Sequence, residues 1–161
     1  MAFYTVGPYR QDQVSIGPAS LSLLQSISIG ADLESSFKFW ISEAQKREDI
    51  LYFSIFRGQE PVGQILLHDL NVGTGESLIA YHLFDPQMRG QGIGTLALRL
   101  LQAHVLQQTA LEKLVIITSR DNLASQTIAR KCEFDYVGAS REDPVNEMVF
   151  EWRAPFRSKW S

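Results

Sequence analysis

Apolar residues recur at helical spacing in four segments of the chain. The clearest segment runs from about Gly94 to Gln107, and its inward stripe consists of Ile93, Ala97, Leu100, Leu101 and His104. Spacings of three and four residues place side chains on one face of a helix. The same spacing predicts further helices over Ala19–Ile29, Asp32–Arg47 and Asn122–Cys132. In the last of these helices, the expected inward positions are Leu123, Ile128 and Cys132.

The middle of the chain has the pattern of β-strands. Ile50–Arg57 is rich in aromatic and β-branched residues, and Val62–Leu70 and Ser77–Phe84 follow it after short turns. Three such segments in succession predict an antiparallel meander. Further strands are predicted at Gln13–Ile16, Lys113–Thr118, Phe134–Gly138 and Val145–Trp152.

Lys113–Thr118 differs from the other predicted strands because it is almost wholly apolar. That composition predicts a strand that is buried on both faces. Together with the order of helices and strands, it predicts an α/β (α+β) sandwich around one mixed sheet.

Composition excludes several classes of protein. The chain has 161 residues, 45% of them hydrophobic, which suits one domain with a sizeable core. The formal net charge is −3 without a basic tract, which argues against a nucleic-acid partner. Cys132 is the single cysteine, so no disulfide can form within the chain. Without an apolar signal core or a membrane-spanning stretch, we expect a cytoplasmic protein that does not bind membranes.

The segment MRGQGIGTLAL, residues 88–98, places three glycines at the start of the helix predicted to end at Gln107: Gly90, Gly92 and Gly94. The first N–H groups of a helix have no partners within it, and the helix dipole favours an anion there. Arg89 adds a guanidinium. Thr95 stands where a P-loop has lysine and a Rossmann fingerprint has glycine, so both nucleotide motifs are excluded. Taken alone, the remaining spacing suits an ordinary tight loop equally well.

The spacing Arg89-x-x-Gly92-x-Gly94 resembles the pyrophosphate loop of the GNAT superfamily of acyl-CoA-dependent N-acetyltransferases. A second segment, DNLASQTIARKCEF, matches another family motif in register through Asn122, Ser125, Lys131 and Phe134. The segments PVGQILLHDLN and LIAYHLFDPQMRGQGIG resemble the Rim-type branch, which acetylates protein N-termini. The two motifs together reduce the chance that the glycine turn is an ordinary loop.

The resemblance runs from about Ile50 to Trp152. It implies a mixed, mostly antiparallel central sheet of about six to seven strands flanked by about four helices. It also implies a single acyl-CoA N-acyltransferase domain over residues 1–161.

By the same resemblance, acetyl-CoA is the cosubstrate and no metal is needed. The pantetheine arm would pair with the end of the predicted strand at Leu83, Phe84 and Asp85, beside a bulge. A backbone N–H near Phe84 would polarise the thioester carbonyl. Asn122 would bond the pantetheine, and Ser125 would lie near the sulfur. The pyrophosphate would be held by the backbone amides of Arg89, Gly90, Gln91, Gly92, Ile93, Gly94 and Thr95.

The implied chemistry is direct attack of a neutral amine on the thioester, which requires a proton acceptor and, for the departing thiolate, a proton donor. The family's tyrosine acid corresponds to Ala129 here, so Ser125 is the substitute. Leu78 occupies the family's glutamate position, which leaves Glu76 and His82 as candidates for the base. Glu133, directly before Phe134, stands where the family has glycine.

The acceptor is expected to be a primary amine, either a peptide or protein N-terminus or a small molecule. The alternative is a non-catalytic acyl-CoA-binding or interaction module on the same scaffold. The aromatic residues Trp152, Phe156 and Trp160 either cover an edge of the core or form a homodimer contact.

Overall fold

The computed structural model describes residues 4–5, 13–18 and 31–155. The strands in this part of the chain are β1 (Tyr4–Thr5), β2 (Val14–Pro18), β3 (Leu51–Arg57), β4 (Glu60–Asn71), β5 (Glu76–Leu83), β6 (Lys113–Ser119), β7 (Asp135–Ala139) and β8 (Glu147–Arg153). The helices are α1 (Ala31–Lys46), α2 (Ile93–Gln108) and α3 (Leu123–Lys131), with a short 3-10 helix at Pro86–Met88. The helix predicted at Ala19–Ile29 lies outside the described residues, as do Phe156 and Trp160.

The eight described strands form one sheet in the order β1-β2-β3-β4-β5-β6-β8-β7. All neighbouring strands are antiparallel except β5 and β6, which are parallel. The predicted meander is confirmed as β3, β4 and β5. The mixed, mostly antiparallel sheet is therefore confirmed, and the two-residue strand β1 extends it by one strand beyond the expected six to seven.

Helices pack on both faces of the sheet. Side chains alternate between the two faces along a strand. Phe53 of β3 contacts His104 of α2, with ring centroids 5.0 Å apart. His68 of β4 is one residue from buried Leu67 and contacts Trp40 of α1 on the other face, at 5.8 Å. The predicted stripe of α2 is buried along its length, which anchors this helix and the turn before it to the sheet.

The prediction that β6 is buried on both faces is wrong. Its side chains alternate between buried and more exposed positions, and Ile117 is 42% exposed. Ile117 lies beyond the last residue pair with β5 and lines an open cavity at this point.

The predicted inward face of α3 is partly wrong. Leu123 is 69% exposed, because it is the first residue of the helix and faces away from the core. The buried face consists of Ser125, Gln126 and Ala129 within the helix and Cys132 directly after it. Burial raises the pKa of the Cys132 thiol to about 11, which fits its predicted role as a small core residue.

Helix α3 ends in a left-handed residue, at the position where the family has glycine. Glu133 has φ 68°, and the N–H of Phe134 donates to the carbonyl of Ala129 at 2.9 Å. An L-residue with a side chain pays about 1 kcal/mol or more in this conformation. Glu133 therefore bears backbone strain at the end of this helix.

Candidate active site

A cleft opens in the sheet where β5 and β6 separate. The two strands pair only from Glu76 to Leu78 on β5 and from Lys113 to Val115 on β6. Beyond these three pairs they diverge, and a cavity of about 650 Å³ lies between β5, β6, α3 and the glycine turn. This volume is within the usual range for small-molecule sites, roughly 300–1,000 Å³.

The backbone of β5 presents hydrogen-bonding groups to this cleft. The N–H of Phe84 donates to the carbonyl of Val62 in β4 at 2.9 Å. Since backbone groups alternate in direction along a strand, the N–H and C=O groups of Tyr81 and Leu83 point the other way, toward the gap. The N–H of Phe84 is therefore already bonded to β4, whereas the N–H of Leu83 is directed to the gap.

β5 itself pairs regularly with β4 from Leu78 to Leu83. The irregularity beside its end lies in β4, where Val62 is left out of the pairing with β3 and its carbonyl accepts the N–H of Phe84. The opening beside Leu83 arises because β6 diverges from β5, and no bulge is required to produce it.

The glycine turn presents bare backbone to the same cleft. Gly90 and Gly92 have φ 79° and 83°, and a Cβ added to either would meet no atom within 4 Å. Gly92 is the N-cap of α2, and the N–H of Leu96 makes the first bond within the helix, at 3.0 Å to Gly92. The N–H groups of Ile93, Gly94 and Thr95 therefore lack partners within the helix, and all three residues line the cleft.

Gly94 serves a different purpose. A Cβ at this position would lie 2.8 Å from Cδ1 of Ile128, so glycine allows α2 to approach α3 closely.

Arg89 lines the cleft, but its own N–H donates to the carbonyl of Pro86 at 3.2 Å. The side chain of Gln91 accepts from Arg57 and donates to Gln87, which holds the turn in shape.

His82 and Arg89 both line the cleft. Burial lowers the pKa of His82 below its usual value of 6.5, and the positive charge of Arg89 lowers it further. Both effects disfavour the imidazolium. The imidazole of His82 is therefore neutral at pH 7 and able to accept a proton.

Asn122 and Ser125 shape the start of α3. Oδ1 of Asn122 accepts the N–H of Ser125 at 3.0 Å and caps the helix. This cap uses the amide oxygen, so a contact from Asn122 to a ligand would come from Nδ2. The hydroxyl of Ser125 lies 2.8 Å from that of Tyr81, which is on the opposite wall of the cleft.

Tyr81 is the main site residue that sequence reasoning missed. Burial raises its pKa to about 12. The only signal in the sequence is alternation, since Tyr81 is two residues from Ile79 and Leu83 on the same face of β5. An aromatic residue in that pattern is typical of a core position, and only the approach of α3 makes it part of the site.

The structure brings most of the predicted site residues to one cleft. Those that line it are His82, Leu83, Arg89, Gly90, Gly92, Ile93, Gly94, Thr95, Asn122 and Ser125. Phe84, Gln91 and Asp85 lie next to it, and Asp85 caps the 3-10 helix by accepting the N–H of Gln87 at 2.9 Å. The structure also adds His68, Leu78, Ala80, Met88, Lys131, Glu142 and Glu147 to the lining.

Glu76 is not brought to the cleft lining. It starts β5 at the end where the sheet is closed, and its carboxylate lies 2.6 Å from the ammonium of Lys113. Lys113 also contacts Glu151 of β8 at 3.3 Å. This arrangement favours a structural role for Glu76 in tying β5 to its neighbours.

The described part of the chain contains neither a metal-binding cluster nor a membrane-spanning helix. No three His, Cys, Asp or Glu side chains among these residues come close enough together to hold a metal ion. In the same part, no helix has the length and apolar character that a membrane span requires.

The fold is shared with several solved acetyltransferases. RimL, a ribosomal L7/L12 α-N-protein acetyltransferase solved with coenzyme A, has a TM-score of 0.74 at 18% identity, over 94% of this chain and 98% of its own. A ribosomal-protein-S5-alanine acetyltransferase from Vibrio fischeri reaches 0.77 at 11% identity, over 98% and 100%. The microcin C7 self-immunity acetyltransferase MccE, solved with acetyl-CoA and AMP, reaches 0.69 at 18% identity, over 88% and 93%.

At the level of sequence, no curated protein matches the chain. The family model described as an acetyltransferase (GNAT) domain, however, matches residues 14–135, more than two thirds of the chain. Both motifs that suggested this family lie within the match, and all of their matching residues except the core residue Phe134 line the cleft. The chain therefore belongs to the GNAT acetyltransferase family, whose members transfer an acetyl group from acetyl-CoA to an amine.

Proposed function

We propose that the cleft binds acetyl-CoA with its diphosphate on the backbone amides between Gly90 and Thr95. One observation carries this proposal: the free amides at the start of α2 lie beside two glycines whose missing Cβ atoms leave open space. A hydrogen bond from an N–H to a charged oxygen contributes about 1.5–3 kcal/mol. A few such bonds supply much of the roughly −8 kcal/mol that micromolar binding requires. Arg89 and Lys131 add positive charge in the same cleft.

The pantetheine arm then lies along the open edge of β5. The backbone groups of Tyr81 and Leu83 that point toward the gap pair with its amides, as an added strand would. The N–H of Leu83 donates to the thioester carbonyl, and Nδ2 of Asn122 contacts the arm. An oxyanion donor of this kind lowers the activation free energy by about 3–4 kcal/mol.

His82 is the proposed base. Its lowered pKa keeps the imidazole neutral at pH 7, and it lines the cleft at the point where β5 leaves β6. Ser125 is the proposed hydrogen-bond donor to the sulfur, since its hydroxyl faces the cleft from the first turn of α3. Glu76 has no part in this proposal because its carboxylate is paired with Lys113.

The proposed acceptor is the α-amine of a peptide or protein, with a small amine as the second choice. An α-amine has a pKa of about 8, against about 10.4 for lysine, so more of it is neutral at pH 7. The similarity to RimL, which acts on ribosomal L7/L12, also favours an N-terminus. One domain over residues 1–161, a cytoplasmic location and a homodimer stay predictions.

A thiol-release assay tests the proposal. Acetyl-CoA is supplied with a panel of N-terminal peptides and small amines, and free thiol is measured against an amine-free blank. We expect turnover with at least one α-amine and micromolar binding of coenzyme A by calorimetry. Failure to bind coenzyme A would refute the placement of the diphosphate, and binding without turnover on any amine would refute the acceptor class.

A further inference from the structure

Tyr81 and Ser125 come from opposite walls of the cleft and join their hydroxyl groups across it. The two oxygens lie 2.8 Å apart, and the Tyr81 hydroxyl is also 3.3 Å from the carbonyl oxygen of Ser125. Ser125 is only 8% exposed, and both side chains line the cleft. A contact between β5 and the first turn of α3 thus restricts the orientation of the serine hydroxyl.

We propose that Tyr81 is a positioning residue that fixes the hydroxyl of Ser125 as a hydrogen-bond donor to the sulfur of coenzyme A. The inference rests on the proposed function, since it needs acetyl-CoA in this cleft. The proposal requires the tyrosine O–H to donate to Oγ of Ser125, which leaves the single proton of the serine for the sulfur. Without the tyrosine, a serine in a helix commonly turns its hydroxyl to a backbone carbonyl one turn earlier.

The protonation state of Tyr81 suits this role. With a pKa of about 12, the phenol keeps its proton at neutral and mildly alkaline pH and stays a donor throughout. Ala129 lies one turn further along α3, is fully buried and has no hydroxyl to offer. Ser125 is therefore the buried hydroxyl that α3 supplies to the cleft, whereas Thr127, which also lines it, is exposed.

The reaction that Tyr81 and Ser125 assist needs no reagent other than acetyl-CoA, the amine and water. A C–N bond forms as the neutral amine attacks the thioester carbon, and the C–S bond breaks with its electron pair leaving on sulfur. The amine nitrogen loses one proton to His82 or water, and the sulfur gains one proton from water as coenzyme A departs. Between these events Ser125 stabilises the negative sulfur, because hydrogen bonds to charged acceptors are the stronger ones.

The titration of the coenzyme A thiol, bound to the protein, tests the inference without an acceptor. The thiolate is followed by its ultraviolet absorbance in the wild type, Tyr81→Phe and Ser125→Ala, with Tyr136→Phe as the matched control. Tyr136 is 46% exposed on β7, outside the cleft lining. We expect about a tenfold smaller ionisation constant of the bound thiol in both cleft variants, and the wild-type value in the control.

The kinetics give a second readout. In Tyr81→Phe, kcat should fall about tenfold while KM for acetyl-CoA stays within about twofold, and Ser125→Thr should retain most of the rate. Because Tyr81 acts through Ser125, the double variant should be no slower than Ser125→Ala alone. Independent, additive losses would overturn the inference.

The failures of the two proposals are distinguishable. A wild-type protein that does not bind coenzyme A refutes the proposed function and this inference together. If coenzyme A binds but its thiol titrates identically in the wild type and Tyr81→Phe, the inference alone is overturned. If Tyr81→Phe weakens binding or folding without moving the titration, the tyrosine is structural and the inference is again overturned.

Discussion

Individual glycines in the turn before α2 serve different physical purposes. Gly90 and Gly92 adopt positive φ angles beside open space, whereas Gly94 admits Cδ1 of Ile128. The spacing in the sequence is the same in either case. A motif of this kind therefore combines residues needed for the ligand with one needed for helix packing, and substitutions must be chosen to separate these effects.

Gly92→Asp and Gly92→Asn form a pair that isolates charge at the proposed diphosphate site. Asn and Asp have nearly the same shape, and both tolerate the left-handed conformation better than other L-residues. We expect coenzyme A to bind at least about tenfold more weakly to the Asp variant than to the Asn variant, because only Asp repels the diphosphate. Calorimetry at low and high salt measures this. Equal affinities in the two variants would contradict the site.

His82 should set the acidic limb of the rate profile. Its pKa is lowered in the folded protein, so the neutral form persists below pH 6.5 and is lost only as the pH falls through the lowered value. After division by the neutral fraction of the acceptor amine, whose pKa is about 8, kcat/KM should rise from pH 5 to a plateau with its midpoint below 6.5. His82→Gln should lower the plateau at least about tenfold and remove this step, whereas His68→Gln should keep it. A midpoint that persists in His82→Gln would assign the base elsewhere.

At the scale of elements, helix α3 carries strain at its last turn. Glu133 with φ 68° stands at a position where glycine is favoured. Glu133→Gly should raise the free energy of unfolding by about 1 kcal/mol, because it relieves the left-handed conformation. Urea denaturation measures the change. Glu133→Ala is the control, since alanine removes the charge but keeps the Cβ; an equal gain in both variants would mean that charge, not conformation, is responsible.

The sequence predicted most elements because their local patterns are strong. The stripe of α2 and the alternation in β3, β4 and β5 depend on burial that a single element already specifies. The exposure of Ile117 and of Leu123 depends on how far β5 and β6 diverge and on how α3 is rotated. These are relations between elements, and periodicity within one segment does not encode them.

The residues of the candidate site divide in the same way, into those that a local motif predicts and those that depend on contacts between elements. Gly92 and Asn122 belong to local motifs and could be placed from the sequence alone. Tyr81 could not be placed, because its hydroxyl meets Ser125, which is 44 residues away. The ion pair between Glu76 and Lys113 could not be predicted either, because only the order of the strands brings the two residues together.

At the scale of the whole molecule, the proposed ligand bridges an incomplete sheet. We expect the cleft-facing amides of Tyr81 and Leu83 to exchange with solvent faster than that of Phe84, which is bonded to β4. Saturating coenzyme A should slow the first two selectively. Hydrogen exchange with and without coenzyme A measures this, and unchanged rates at Tyr81 and Leu83 would contradict the path of the pantetheine arm.

The three residue pairs that join β5 to β6 have a mechanical consequence. β5 and β6 are joined by fewer residue pairs than β3 and β4, β4 and β5, or β6 and β8, and the ion pairs of Lys113 lie at the closed end of this short seam. A substrate bound across the open end connects the two halves of the sheet for as long as it is bound. The sheet would then become more rigid when the substrate binds and relax when the product leaves, so that product release and relaxation of the sheet occur together.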